Sequence, residues 1–129
     1  MSHILKATIP VKLKDRDCLV RAFGLKELQF EQTSYGYDVA IPGCNERDVT
    51  SSLRADKKAR LLVKWNDKSQ EYEIHGEAYR IQQQYAETMN KVVSGYQVAI
   101  TEAAFRAVYP QVYVVPQANG QMQVQGVSY

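Results

Sequence analysis

The sequence predicts an α+β fold of two layers, a largely antiparallel sheet with two main helices on one face. Three observations predict it. Several short segments alternate apolar and polar residues with the period of a half-buried strand. Two segments switch to helical spacing, and the connections are short and rich in turn residues. At 129 residues the chain has the length of one domain, expected to span 1–129. Its 45% hydrophobic and 23% charged residues are those of a globular chain that can bury a core without staples.

The elements follow in order. Leu5, Ala7, Ile9, Val11 and Leu13 share one parity and Lys6, Thr8, Pro10, Lys12 and Lys14 the other. That is a first strand, with Pro10 placing it on an edge or at a bulge. In "KDRDCLVRAFG", Leu19, Ala22 and Phe23 fall at helical spacing, with Asp15 as N-cap and Gly24 as terminator. Leu28 and Phe30 begin a second strand. A turn at residues 33–34 leads to a third, in which Tyr35, Tyr37, Val39 and Ile41 alternate with Gly36, Asp38 and Ala40. Pro42 and Gly43 are expected to end it.

Residues 42–59 read either as a short helix capped by Asn45 or as a long loop. Leu61, Val63 and Trp65 then share a face. Tyr72, Ile74, Gly76 and Ala78 share another, opposite Glu71, Glu73, His75 and Glu77, which predicts an antiparallel hairpin, apolar inside and charged outside. Ile81, Tyr85, Thr88 and Val92 form one helical stripe, widened by Met89 and Val93, and Gly95 reads as the residue that closes the helix. Tyr96, Val98 and Ile100 then alternate as a strand, while "EAAFRAVYP" reads as a turn or two of helix. The chain ends in a hairpin whose Asn119-Gly120 suits a two-residue type I′ turn. Each helix follows one strand and precedes another, so each half loosely resembles a β-α-β unit, without a sequence repeat.

The net charge of +2 is too weak to imply a nucleic-acid partner by itself. Cys18 and Cys44 make no disulfide framework. The opening "MSHILKATIPVKLK" has no long apolar core behind a basic start, so no secretory signal is expected. No run reaches the ~20 apolar residues of a bilayer span. A reducing, cytoplasmic setting without a membrane partner is the expectation.

Residues able to carry chemistry are scattered. His3, Cys18, Cys44 and His75 lack metal-ligand spacing, and no metal or other cofactor is expected. His75 shares parity with Glu73 and Glu77 and is expected to face water. Cys18, near a helix start, could have a lowered thiol pKa, but beside Leu19 it reads as a small core residue. No G-x-S-x-G and no phosphate-binding glycine loop occurs. Glu71, Glu73 and Glu77 read as a solvated strand face that blunts edge aggregation. The most functional-looking segment is basic, with Arg54, Lys57, Lys58, Arg60, Lys64 and Lys68 against Asp56 and Asp67, and Trp65 among them. Cations with an aromatic suit a single-stranded nucleic acid. Trp65, however, shares parity with Leu61 and Val63, so it reads as core and the cations as a solvated edge or a dock for an acidic protein. Tyr35, Tyr37, Tyr72 and Tyr96 read as inward strand residues. Tyr113 and Tyr129 read as exposed, which suits an interface.

"MSH" at residues 1–3, "LKDRDCLVRAF" and "QQQYAETMNKVVSGYQV" together resemble a family of small uncharacterised proteins of cyanobacteria and algal plastids, a hypothetical chloroplast reading frame. The matching positions are Met1, Ser2, His3, Leu19, Ala22, Gln84, Tyr85 and Ala86, with Gln84 where the family often has arginine. The resemblance implies a plastid stromal location if the chain is plastid-encoded. It also implies an accessory role near ATPase machines, by association only. The expectation is therefore a non-enzymatic accessory or adaptor protein acting through protein–protein contacts at exposed sheet edges and the 42–60 segment, with homo-oligomers compatible. The alternative is a nucleic-acid-binding module using the basic 54–68 segment.

Overall fold

A computed structural model describes residues 11–50 and 56–128 in full and residues 4–6 by their backbone. The elements are β1 (Ile4–Lys6), α1 (Arg16–Leu25), β2 (Phe30–Gln32), β3 (Gly36–Asn45), α2 (Glu46–Val49), β4 (Lys58–Asn66), β5 (Glu71–Glu77), α3 (Gln82–Arg106), β6 (Gln111–Pro116) and β7 (Met122–Val127). Strands β1 to β5 form a five-stranded sheet in the order β1-β5-β4-β3-β2, and every pair is antiparallel. Strands β2 to β5 are thus one continuous meander, and β1 adds to the far edge. The chain is α+β, as its patterning predicts. The expected β-α-β halves are absent: α1 carries the chain between opposite edges of the sheet, and α3 leads to the separate β6–β7 hairpin.

Alternation decides which way the sheet faces. Tyr37, Val39, Ile41, Leu61, Val63, Tyr72 and Ile74 are buried, and they pack with Leu19, Ala22 and Phe23 of α1 and Tyr85, Val92, Tyr96 and Ala99 of α3. Phe23 anchors this cluster with ring contacts to Phe30 at 4.8 Å and Tyr37 at 5.6 Å between centroids. Such aromatic pairs add stabilisation beyond the area they bury.

Helix α1 starts where the sequence indicates. The Asp15 carboxylate accepts the Cys18 backbone N–H at 3.0 Å, satisfying one of the donors a helix start leaves open. The stop differs. Gly24 lies inside the last turn, and Glu27 takes the left-handed conformation at φ 55°. The Leu28 N–H reaches the Phe23 carbonyl at 2.9 Å, closing a Schellman-type end with Leu28 buried behind it. A glycine near a helix end is thus a weaker guide than the hydrophobic residue that must turn inward after it.

The larger correction concerns α3. It runs unbroken from Gln82 to Arg106, so no strand occupies 96–100 and Gly95 closes nothing. A Cβ on Gly95 would lie 3.0 Å from the Ala22 carbonyl oxygen and 3.1 Å from the Ala22 Cβ. Gly95 is a point of close approach between α1 and α3. At the next residue, the Tyr96 hydroxyl accepts the backbone N–H groups of Lys14 and Asp15, each at 3.0 Å, and so fixes the approach to α1.

Other expectations shift as well. Strand β3 continues past Pro42 and Gly43 to Asn45 through an irregularity in its pairing with β4. Gly43 sits there at φ 75°. Asn45 does cap a short helix, α2, closed by a reciprocal bond from its own N–H to the Asp48 carboxylate at 2.7 Å. Of the first predicted strand, residues 4–6 form β1, Leu13 makes a lone bridge to Tyr72, and residues 7–10, with Pro10, lie outside the described residues.

An ion triad ties the two helices. Arg21 of α1 grips Glu102 of α3 with Nε at 3.0 Å and Nη2 at 3.1 Å, and Arg106 adds a contact at 3.3 Å. The Glu102 side chain is 8% exposed, while its arginines are 48% and 60% exposed. The hydrogen bond from Arg21 holds the Glu102 carboxyl below its ordinary pKa. Glu102→Gln is expected to cost about 1–2 kcal/mol at neutral pH, less than a fully buried pair because solvent screens both arginines. The depressed pKa makes this contribution full above the ordinary carboxylate range. It is lost as pH falls through the folded-state value. Urea titrations of both proteins should therefore differ at neutral pH and converge in acid; a gap that persists in acid contradicts the assignment.

Candidate interaction site

Four positions of the basic segment lie on or beside the sheet face that the helices leave uncovered. In register along that face, Arg60 lies beside Ala40, Leu62 beside Asp38 and His75, and Lys64 beside Glu73. The cations there are engaged within the chain. Arg60 meets Asp38 at 3.2 Å and Glu46 at 3.9 Å, and Lys57 meets Glu46 at 3.6 Å. Lys58 donates to the Gln29 side chain, and Lys64 lies 5.3 Å above the Tyr35 ring. A groove of about 510 Å³ runs here beside β2, and Glu31, Asp38 and Asp56 balance Lys57, Lys58 and Arg60 along it. Lys68 stands apart in the exposed β4–β5 turn, and Arg54 lies outside the described residues. The structure thus gathers Lys57, Lys58 and Arg60 into a charge-balanced groove rather than a uniformly positive track.

Trp65 is neither fully core nor a free stacking platform. Its parity is inward, but it sits at the sheet's end, 37% exposed. Its ring meets Tyr72 edge-on at 4.9 Å and its Nε1–H donates to Asp67 at 2.8 Å. Tyr37 and Tyr72 are buried on strands as expected, Tyr96 is buried on a helix instead, and Tyr35 lies in the turn, bonded to Asp38.

The acidic strand face is more engaged than a solvated face would be. Glu73 is 15% exposed, accepts from Asn66 and lies 3.8 Å from His75 Nε2, so His75 belongs to this polar row and is half-buried. Cys18 and Cys44 are free and buried, and burial pushes both thiols up, reinforced at Cys18 by Asp15 and at Cys44 by Asp48. A raised pKa leaves less thiolate, the opposite of nucleophile activation. Among the described residues, no three His, Cys, Asp or Glu side chains converge to hold a metal ion. None of the described helices is long and apolar enough to cross a membrane.

The β6–β7 hairpin is a different kind of surface. It forms its own two-stranded sheet, laid against α3. Among the described residues, the buried core cluster runs from Leu13 to Ala99 and draws no side chain from the hairpin. Tyr113 is 51% and Val127 43% exposed. Its turn is not the two-residue type expected. Gln117 and Gln121 still pair, with N–H to carbonyl at 2.7 Å, and the Gly120 N–H reaches the Gln117 carbonyl at 3.1 Å. Only Gly120 takes positive φ, at 81°. That is a three-residue loop, a tight turn followed by a glycine bulge.

The pairing fixes which backbone groups are free. Bonded pairs alternate along an antiparallel ladder. From Gln117 with Gln121, the bonded partners are Val115 with Gln123, Tyr113 with Gln125, and Gln111 with Val127. The backbone groups of Met122, Val124 and Gly126 therefore point out along the β7 edge, and those of Val112 and Val114 along the β6 edge. Residues 107–129 contain no Asp, Glu, Lys, Arg or His. That stretch was readable in the sequence, but whole-chain averages conceal it beside a 23% charged background. Of the two tyrosines expected at an interface, Tyr113 is exposed on this ribbon and Tyr129 lies outside the described residues.

The positions that carry the family resemblance are chiefly structural where described. Leu19, Ala22 and Tyr85 are buried, Gln84 and Ala86 face out from α3, and residues 1–3 lie outside the described residues. Compared with known proteins, the chain matches no family model, no curated protein and no solved structure.

Proposed function

We propose that this protein is a non-enzymatic adaptor that works through protein–protein contact, with the β6–β7 hairpin as its contact element. One observation carries the reading: a charge-free hairpin with exposed Tyr113 and Val127 stands outside the buried core cluster. An isolated two-stranded hairpin is marginal, and sheet edges in natural proteins are normally blunted with charge or cover. A ribbon that gives no side chain to the buried core and carries no charge along its β7 edge is best accounted for by a partner that covers it. The resemblance to the cyanobacterial and plastid family supports the same reading by association only.

A photo-crosslinking experiment tests this. A benzophenone amino acid in place of Tyr113 should give a discrete crosslinked protein band in the source cells. The same probe at Gln83, exposed on α3, should not. No band at Tyr113, or the same pattern from both positions, would overturn the reading.

A further inference from the structure

We infer that the hairpin's partner is a second copy of this chain, joined edge to edge through β7 into a four-stranded antiparallel sheet. The inference rests on the proposed role of the hairpin as a contact element and goes further by naming what covers it.

The choice of edge comes from the backbone. Strand β6 ends in Pro116, which has no N–H to offer a neighbour. Strand β7 offers the outward N–H and carbonyl groups of Met122, Val124 and Gly126 without interruption. A two-fold axis through Val124 sets Val124 against its own copy and Met122 against Gly126 of the second copy. All six outward residues then meet outward residues, as an isologous interface requires.

The choice of occupant comes from the side chains. A charged edge meeting its own copy sets like charges opposite each other, and this edge has none. The same axis places Gln123 opposite Gln125 of the second copy, in the pair class where side chains approach most closely. A glutamine amide both donates and accepts, so it pairs with another glutamine without needing a different partner chemistry. Both residues are exposed and lie on the ribbon's outer face. They already turn toward each other within the chain, with Gln125 Nε2 at 3.2 Å from Gln123 Oε1. On the inner face, Tyr109 lies against Gly126, which anchors the strand to the end of α3.

The test is sedimentation equilibrium of the purified full chain with charge-swapped variants at the two outer-face glutamines. The wild type should sediment at twice the 14.7 kDa chain mass at high micromolar concentration. The Gln123→Lys/Gln125→Lys double variant should lose the dimer, as should Gln123→Glu/Gln125→Glu, with unchanged circular dichroism. Mixing the two variants should restore the doubled mass, because each lysine then faces a glutamate. A wild type that stays monomeric, variants that still dimerise, or a mixture that stays monomeric overturns the inference. The readings also separate. A monomeric wild type whose Tyr113 probe crosslinks to a protein of another mass overturns self-pairing and keeps the contact role, whereas no crosslink at all removes the contact role.

Discussion

Gly36→Ala is expected to lower stability by about 3–4 kcal/mol. Gly36 opens β3 at φ 148°, a region that side chains rarely adopt. A Cβ there would lie 2.1 Å from the Val63 carbonyl oxygen, far inside contact distance. The obstacle is backbone in the middle of the sheet, so no rotamer change relieves it. The turn depends on the same residue, since the Thr33 N–H donates to the Gly36 carbonyl at 2.8 Å and the Gly36 N–H to the Thr33 hydroxyl at 3.1 Å. Relief would require β3 to part from β4. A urea midpoint that falls by only a few tenths of this amount would mean that β3 and β4 do not approach as closely as described.

Gly95→Leu follows, with an expected loss of about 3 kcal/mol from forcing α1 and α3 apart. The informative companion is Gly95→Ala. Alanine gains about 1 kcal/mol of helix propensity over glycine. It also presses on Ala22 at about 3 Å, so the two effects should nearly cancel. A helix-closing glycine with positive φ would behave otherwise: alanine would already cost 1 kcal/mol or more, and leucine little beyond that. Thermal melts of the two variants distinguish a helix crossing from a helix end.

Gly95 also shows why part of this fold was hidden in the sequence. The inward positions Tyr85, Thr88, Val92, Tyr96 and Ala99 keep steps of three and four straight through the glycine, and all are buried. Alternation of Tyr96, Val98 and Ile100 competes with that stripe over the same short window. A glycine opposite another helix looks like a stop until the opposing helix is known. Where both neighbours of an element are local, the sequence is readable: the β4–β5 hairpin alternates as expected and Asp15 caps its helix, whereas at Asn45 the sequence leaves helix and loop open and the structure shows the helix.

The basic segment illustrates a different limit. Lys57 and Arg60 were visible as cations, but Glu46 and Asp38 come from other elements, so their pairing depended on tertiary placement. Parity alone points Trp65 inward, and parity does not register that the sheet ends beside it. The hairpin had the reverse history. Its strands and turn region were legible, and so was the exposure of Tyr113. Its independence from the core was not, because only the fold shows which apolar residues have already found partners.

Amide hydrogen exchange followed by NMR at low and high protein concentration tests the role of the hairpin most directly. The amides of Gln123 and Gln125 are bonded within the chain and should exchange slowly at both concentrations. Those of Met122, Val124 and Gly126 should exchange quickly in dilute solution and slow as concentration rises, while Val112 and Val114 stay fast. Equal rates along β7 at both concentrations, or protection gained on β6 instead, would contradict the pairing.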